Sequence, residues 1–282
     1  MGLKVNSYSI FGKNYCDTIP LILRAHHALY PGWQLRIYHD KELDGIPYKQ
    51  VLLQLNQLNI VKTILVDQPV LKCRSMLWRM LPIWDPEVDY IFCKDADSLV
   101  TPRERRINED FVRSNYVASG INDNPAHSIP LMGGMIGFNA KKFIEITGIK
   151  TFNQFISMAG FSDNEWQRHG SDQSFLNSKI LPLIKNYTII YRTFNGASNI
   201  NGLSCVNSIP NIDIDIDAEL ILKYGDRCTN YIGACGTVGP LNVDFYNILN
   251  QYGCNTIFNF FDRYGNQEVN NIIRQVEHFI NG

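Results

Sequence analysis

Asp95-Ala96-Asp97 sets two carboxylates one residue apart, directly after the run Val88-Asp89-Tyr90-Ile91-Phe92-Cys93-Lys94. That run reads as a buried β-strand, so the acids stand at its carboxyl end. Alternate residues of a strand face opposite ways, and two such acids reach one ion only where the strand stops and the chain turns. Open α/β sheets place their ligand crevice at that edge. A hard divalent cation, Mg²⁺ or Mn²⁺, takes oxygen ligands and bridges a diphosphate, neutralising the charge that builds on a leaving group. The pair therefore points to chemistry on a metal-bound phosphate. A nucleoside diphosphate leaving group implies transfer of whatever is attached to it. Arg79 or Arg74, near the same edge, would add a bidentate phosphate contact.

Spacing alone is a weak signal, because a chain of this length and composition should contain roughly one Asp-x-Asp by chance. A contrasting match lies in Asn211-Ile212-Asp213-Ile214-Asp215-Ile216-Asp217, where acid alternates with isoleucine. That period of two is the mark of a strand with a solvated acidic face and a buried apolar one. Context separates the two: the first pair follows an apolar run, and the second sits inside an alternation.

The elements that must position Asp95 and Asp97 are legible on either side. Leu3 to Ile10 reads as a first strand, Phe11-Gly12-Lys13-Asn14 as a turn, and Cys16 to Tyr30 as a helix stopped by Pro31-Gly32. Gln34 to Asp40 is a second strand ending in an acid, followed by a weaker helix and strand to about Val66. The order βαβα implies a parallel sheet. Arg74 to Trp84 carries apolar residues at 77, 80, 81 and 84, which predicts a helix with one buried face and Arg79 off that stripe. After Asp97, Pro102 to Val112 is charged and helical, with Arg103, Glu104, Arg105 and Arg106 forming a solvated, mutually paired face.

Tyr116 to Gly120 is another strand and Asp123 to His127 a loop. Then Pro130-Leu131-Met132-Gly133-Gly134-Met135-Ile136-Gly137-Phe138-Asn139 sets three glycines in an apolar run. Such glycines mark close approach of backbone to a ligand, a bulge or a tight core turn. Phe152 to Met158 reads as a helix, and Ser171 or Asp172 caps a further helix running to Leu183. From about Asn186 the pattern turns irregular, and an amphipathic helix from about Gln267 to Phe279 closes the chain. Residues 1–185 are expected to form the catalytic core, and 186–282 to complete the same domain on the acceptor side.

With 282 residues, 45% of them hydrophobic, the chain can bury a sizeable core. A net charge of −1 argues against a broad polyanion-binding surface without excluding a local basic groove. The 7 cysteines form no Cys-x-x-Cys pair and read as reduced core thiols of a cytosolic protein. Met1 to Ser7 turns polar too soon for a signal peptide, and no apolar stretch nears the ~20 residues of a membrane span. The expected location is cytoplasmic, in solution or peripheral to a membrane.

Ser9-Ile10-Phe11-Gly12, then Leu29-Tyr30-Pro31-Gly32-Trp33 leading into Arg36-Ile37-Tyr38-His39-Asp40, resembles the opening of viral and bacterial glycosyltransferases of the GT-A fold, related to retaining family 8-like enzymes. The resemblance continues in order through Met76 to Leu81, Asp95 to Ser98, Thr101 to Glu104, Asn124 to His127, Pro130 to Gly137 and Asp172-Gln173-Ser174-Phe175-Leu176-Asn177. It covers about Leu3 to Leu183, and an ordered series is more specific than any one motif. It implies an α/β fold, a mostly parallel sheet flanked by helices with an irregular C-terminal region. It also implies a nucleotide-sugar donor, of the UDP- or GDP-sugar class, held by Ser9, Phe11 and Gly12. The metal on Asp95 and Asp97 would bridge the diphosphate, Arg79 would contact the donor, and Gly133 and Gly134 would line the sugar pocket. Asp172 would orient sugar hydroxyls with Gln173 near the anomeric carbon, or, in an inverting enzyme, Asp172 would act as base on the acceptor.

Related retaining enzymes take a third metal ligand from a histidine in a His-aromatic-x-Gly segment, where this chain has Asn230-Tyr231-Ile232-Gly233. Asparagine oxygen ligates a hard cation more weakly, so Asn230, another group or water completes the shell. His127 and His169 are better suited to hydrogen-bonding acceptor or donor than to holding an ion that prefers oxygen. Tyr231, Phe258 and Phe260 are packing aromatics that would also suit stacking on a sugar. The acceptor would be a glycan, glycolipid, protein or modified DNA base, the last disfavoured by the near-neutral charge. Two alternatives stay open. A sugar-phosphate nucleotidyltransferase needs a Gly-rich basic loop after strand one, of which Phe11-Gly12-Lys13-Asn14 is a poor version. The other is a nucleotide-sugar-binding protein with a degenerate site.

Overall fold

The computed structural model describes residues 2–45, 49–59, 61–98, 100, 102–122, 129–192, 205–208 and 267–281. Their strands are β1 (Leu3–Ile10), β2 (Gln34–His39), β3 (Val61–Leu65), β4 (Val88–Lys94), β5 (Ala118–Asn122), β6 (Met135–Asn139), β7 (Thr188–Arg192) and β8 (Cys205–Ser208). The fold is α/β, with strands mostly parallel and helices in the connections. Two compact units divide the chain, one of Met1–Ser9, Gln68–Asp95 and Arg106–Pro210, the other of Ile10–Asp67, Ala96–Arg105 and Asn211–Gly282.

In the first unit the strands follow the order β1-β4-β6-β5-β7-β8. β1 runs parallel to β4 with Asn6 beside Phe92 and Ser7 beside Cys93. β6 runs antiparallel to both β4 and β5, while β5, β7 and β8 are parallel. Phe111 packs edge-on against Tyr90 and Phe92. A chain of edge-to-face rings then runs from Phe138 on β6 through Phe143 and Phe155 to Phe175 and Trp166. Such contacts fix ring orientation as well as burying area, so the short helix Ser171–Phe175 is tied rigidly to the sheet. Asn139 caps the helix Ala140–Thr147 by accepting from Lys142 N–H at 3.2 Å, and Gly148, at φ 69°, ends it.

The segment before β4 departs from the sequence expectation. Lys72–Met76 is α-helical, but Leu77–Trp84 tightens to a 3₁₀ helix with Pro82 inside it. Proline has no N–H to close an i→i−4 bond, and three residues per turn align positions 76, 79 and 82. Arg79 is consequently buried, not off the apolar face.

In the second unit β2 and β3 pair in parallel, Ile37 beside Thr63 and His39 beside Leu65. Every residue of β2 is buried. The helices Ile19–Leu29 and Lys49–Gln57 both pack against the closing helix Gln267–Asn281, whose Val269 and Ile273 are buried. Cys16, Cys73 and Cys93 are buried, as expected of core cysteines. Among the described residues no helix is long and apolar enough to cross a membrane. The isoleucine-aspartate run, Asn230, Tyr231, Phe258 and Phe260 lie outside the described residues, as does His127.

Candidate functional site

The first unit brings Arg79, Asp95 and Asp172 together at the carboxyl end of β4. Arg79 is delivered there by the 3₁₀ turn, and its backbone is clamped on two sides. Ser9 Oγ, near the end of β1, accepts from Arg79 N–H at 2.8 Å and donates to Met76 O at 3.0 Å. Cys93 Sγ lies 3.7 Å from Arg79 O. The guanidinium is 4% exposed. Its Nη1 donates to Lys94 O at 3.1 Å and to Asp95 Oδ1, while Nη2 lies 3.7 Å from Asp172 Oδ2. Nε is buried without an acceptor.

The electrostatics follow from that packing. Burial works against the charged guanidinium, but Asp95 and Asp172 beside it, with Cys93, outweigh the cost and hold its pKa above the ordinary arginine value. Burial pushes the Cys93 thiol up to about 12, so it stays neutral. Asp172 moves the same way: burial raises its carboxyl, and Arg79 only partly offsets that. One buried cation is thus flanked by two acids.

Asp172 sits in the first turn of Ser171–Phe175, entered through Gly170 at φ 80°. The Ser171 hydroxyl lies 2.6 Å from Glu165 O and 2.9 Å from Arg168 O, anchoring the start of that turn. Against these acids lies the turn Gly133–Gly134. Neither glycine has a positive φ, so the requirement is space. A Cβ on Gly133 would land on Arg79 Nη2 and come within 3.0 Å of Asp172 Oδ2. A Cβ on Gly134 would land on the Asp95 carboxylate. The close approach that the sequence suggested is, in the structure, made by the chain's own charged side chains.

Asn177 locks this turn to the helix and was not singled out from sequence. Its Oδ1 accepts from Leu131 N–H at 3.0 Å, and its Nδ2 donates to Leu131 O at 2.7 Å and to Gln173 O at 2.8 Å. It lies in the π-helical stretch Leu176–Ile180. Its place four residues after Gln173, on the helix that carries Asp172, was the available signal.

The other expected residues are placed as follows. Gln173 is half-buried beside Asp172. Phe11 and Gly12 belong to the second unit, where Gly12, at φ 69°, donates its N–H to Asp40 Oδ2 at 2.9 Å. His169 is exposed in the turn before Gly170. Asp97, which belongs to the second unit, is half-buried, and the Asp95 side chain in the first is 39% exposed.

Among the described residues no group of three or more His, Cys, Asp and Glu side chains is disposed to hold a metal. Asp95, in the first unit, and Asp97, in the second, each carry hard oxygen donors of the kind Mg²⁺ takes.

No family model matches the sequence, and no curated protein matches it. Among solved structures, S. aureus TarS 1-349 in complex with UDP-GlcNAc is 9% identical, over 53% of this chain and 48% of that one, at a TM-score of 0.38. S. aureus TarS 1-349 is 8% identical over 64% and 56%, at 0.42. The mannosyltransferase PcManGT from Pyrobaculum calidifontis, in complex with GDP-Man and Mn²⁺, is 11% identical over 78% and 59%, at 0.41. This chain thus spans between 48% and 59% of the length of these structures.

Proposed function

We propose that the chain is a GT-A glycosyltransferase moving a sugar from a nucleoside-diphosphate-sugar, of the UDP or GDP class, to an acceptor hydroxyl, with Mn²⁺ or Mg²⁺. One observation carries the reading: a buried arginine held between two carboxylates at the carboxyl end of β4, facing a turn stripped of side chains. A divalent ion would neutralise the diphosphate as it leaves. Asp95 and Asp97 would hold it, with Asn230, another group or water completing the shell. The Arg79 fork matches phosphate as well as it matches carboxylate, and so serves the donor. Gly133 and Gly134 would offer backbone alone to the sugar, and Ser9, Phe11 and Gly12 are the residues that the resemblance assigns to the donor. His127 and His169 serve the acceptor, whether glycan, glycolipid, protein or modified base. The expected working place is the cytoplasm, in solution or against a membrane surface.

Asp172 has two possible duties. In a retaining course it orients the sugar hydroxyls, with Gln173 beside the anomeric carbon. In an inverting course it takes the proton of the acceptor hydroxyl, and a carboxyl raised by burial suits a group that must hold a proton. The anomeric configuration of the product separates the courses. The whole reading is tested by screening UDP- and GDP-sugars with Mn²⁺ for thermal stabilisation and slow donor hydrolysis. Release of nucleoside diphosphate is expected. Release of pyrophosphate from nucleoside triphosphate, or no binding of any donor, would sink it.

A further inference from the structure

The buried cation of the cluster is engaged on the very acid that a metal would need. Arg79 donates from Nη1 to Asp95 Oδ1. Two cations on one carboxylate repel, and with Arg79 buried and Asp95 only partly exposed water weakens that repulsion without removing it. We infer that Arg79 is the resident counter-ion of Asp95 and makes metal binding conditional on a diphosphate. This rests on the proposed assignment of Asp95 to a metal, and it adds an order to that site: in the free protein Asp95 belongs to Arg79, and a diphosphate that draws the guanidinium away frees it for the ion.

Several features of the cluster suit such an exchange. The guanidinium fork can bond phosphate in a bidentate way, so an oxyanion would offer paired acceptors in place of the single Nη1 contact with Asp95 Oδ1. Arg79 Nε has no acceptor in its buried position, and an incoming oxyanion would satisfy a donor now left unpaired. Only the side chain has to move, because Ser9 holds the Arg79 backbone through its N–H. Gly133 leaves the Nη2 side free of any Cβ. Asp172, 3.7 Å from Nη2, keeps a second negative partner in reach while Asp95 is released. The result is positive coupling between metal and nucleoside diphosphate, with each favouring the other.

The test needs no sugar transfer. The full chain, checked for folding by far-UV circular dichroism, is titrated with Mn²⁺ while the free ion is read by electron paramagnetic resonance. Wild type is expected to bind Mn²⁺ weakly alone and more tightly with UDP or GDP. Arg79→Gln without nucleotide should bind at least about tenfold tighter than wild type, the scale on which one charge at contact distance shifts a carboxylate's occupancy. Adding Asp95→Asn to that variant should erase the gain. Arg79→Lys keeps the charge but not the fork; it should fall between wild type and the glutamine variant, and it carries the test if the latter does not fold. An Arg79 variant that binds Mn²⁺ no tighter than wild type overturns the inference. If that occurs while wild type with nucleotide still binds the ion, the proposed function stands and this inference alone falls. If no form binds Mn²⁺ even with nucleotide, the metal assignment and the inference fall together.

Discussion

The two ends of β4 carry the same kind of contact with opposite consequences. At the amino end Asp89 accepts from Lys141 Nζ at 2.6 Å and from the Gly2 N–H, on side chains 19% and 66% exposed. The Lys141 hydrogen bond, with help from Gly2, holds the Asp89 carboxyl below its ordinary range. At the carboxyl end Asp172 also has a cationic neighbour, Arg79, yet its carboxyl is pushed up because burial outweighs the attraction. The sign of the shift thus reports the cost of desolvation, which the pair at the surface hardly meets and the buried one does not overcome. The amino end is a surface tie. The carboxyl end is an arrangement the fold must hold in place, and such arrangements are where function concentrates.

Breaking the carboxyl end should have the largest effects. Arg79→Ala leaves Asp172 buried beside Asp95 without the cation between them, a loss expected to cost about 3–5 kcal/mol of stability at neutral pH. Chemical denaturation would measure it. The penalty should shrink as pH falls through the raised Asp172 pKa, since a protonated carboxyl needs no cation. A pH-independent loss would show that packing, not charge, is what Arg79 supplies. Gly134→Ala comes next: its methyl group would displace the Asp95 carboxylate. A shift of about 1 Å at a reacting site costs on the order of 100-fold in turnover. Donor hydrolysis would report that loss, and Gly45→Ala, with open space around it and no positive φ, would control for backbone effects of adding a methyl. Asn177→Ala strands Leu131 N–H and the carbonyls of Leu131 and Gln173, at about 1–3 kcal/mol. Asn177→Asp should be worse than Ala, because a carboxylate would face two carbonyls. Thermal melts of the two variants decide the point.

How much of this was legible depends on the range over which the physics acts. The strand before Asp95 and the closing helix are local patterns, and the structure has them at Val88–Lys94 and Gln267–Asn281. The burial of Arg79 was missed because a period of 3.6 was applied to a segment that Pro82 tightens to three residues per turn. The proline was visible; its consequence needed the fold. Gly133 and Gly134 were legible as a close approach, but the approaching atoms come from Arg79, Asp95 and Asp172, up to 54 positions away in sequence and brought together only by the sheet. Asn177 looked like one more helix residue, since nothing local announces that its amide will pair with Leu131.

The smallest expected effect comes from the amino end and completes the contrast. Asp89→Asn removes the charge that Lys141 answers, and because the lysine is largely in water the loss should stay under about 1 kcal/mol. Its pH dependence has a definite sign. A carboxyl whose folded pKa is depressed lends stability above its unfolded pKa and loses it as pH falls through the folded value. The gap between wild type and Asp89→Asn should therefore be present at neutral pH and close below about pH 4. Salt should narrow it too, as it does for exposed pairs. The Arg79→Ala gap also narrows in acid, but for the opposite reason, protonation of a strained carboxyl, and salt should leave it almost unchanged. Denaturation of both variants at low and high salt would then distinguish the two ends of one strand by a single measurement. If salt moved both gaps equally, the cluster at Arg79 would be as wet as the pair at Lys141, and its claim to be a site would fail.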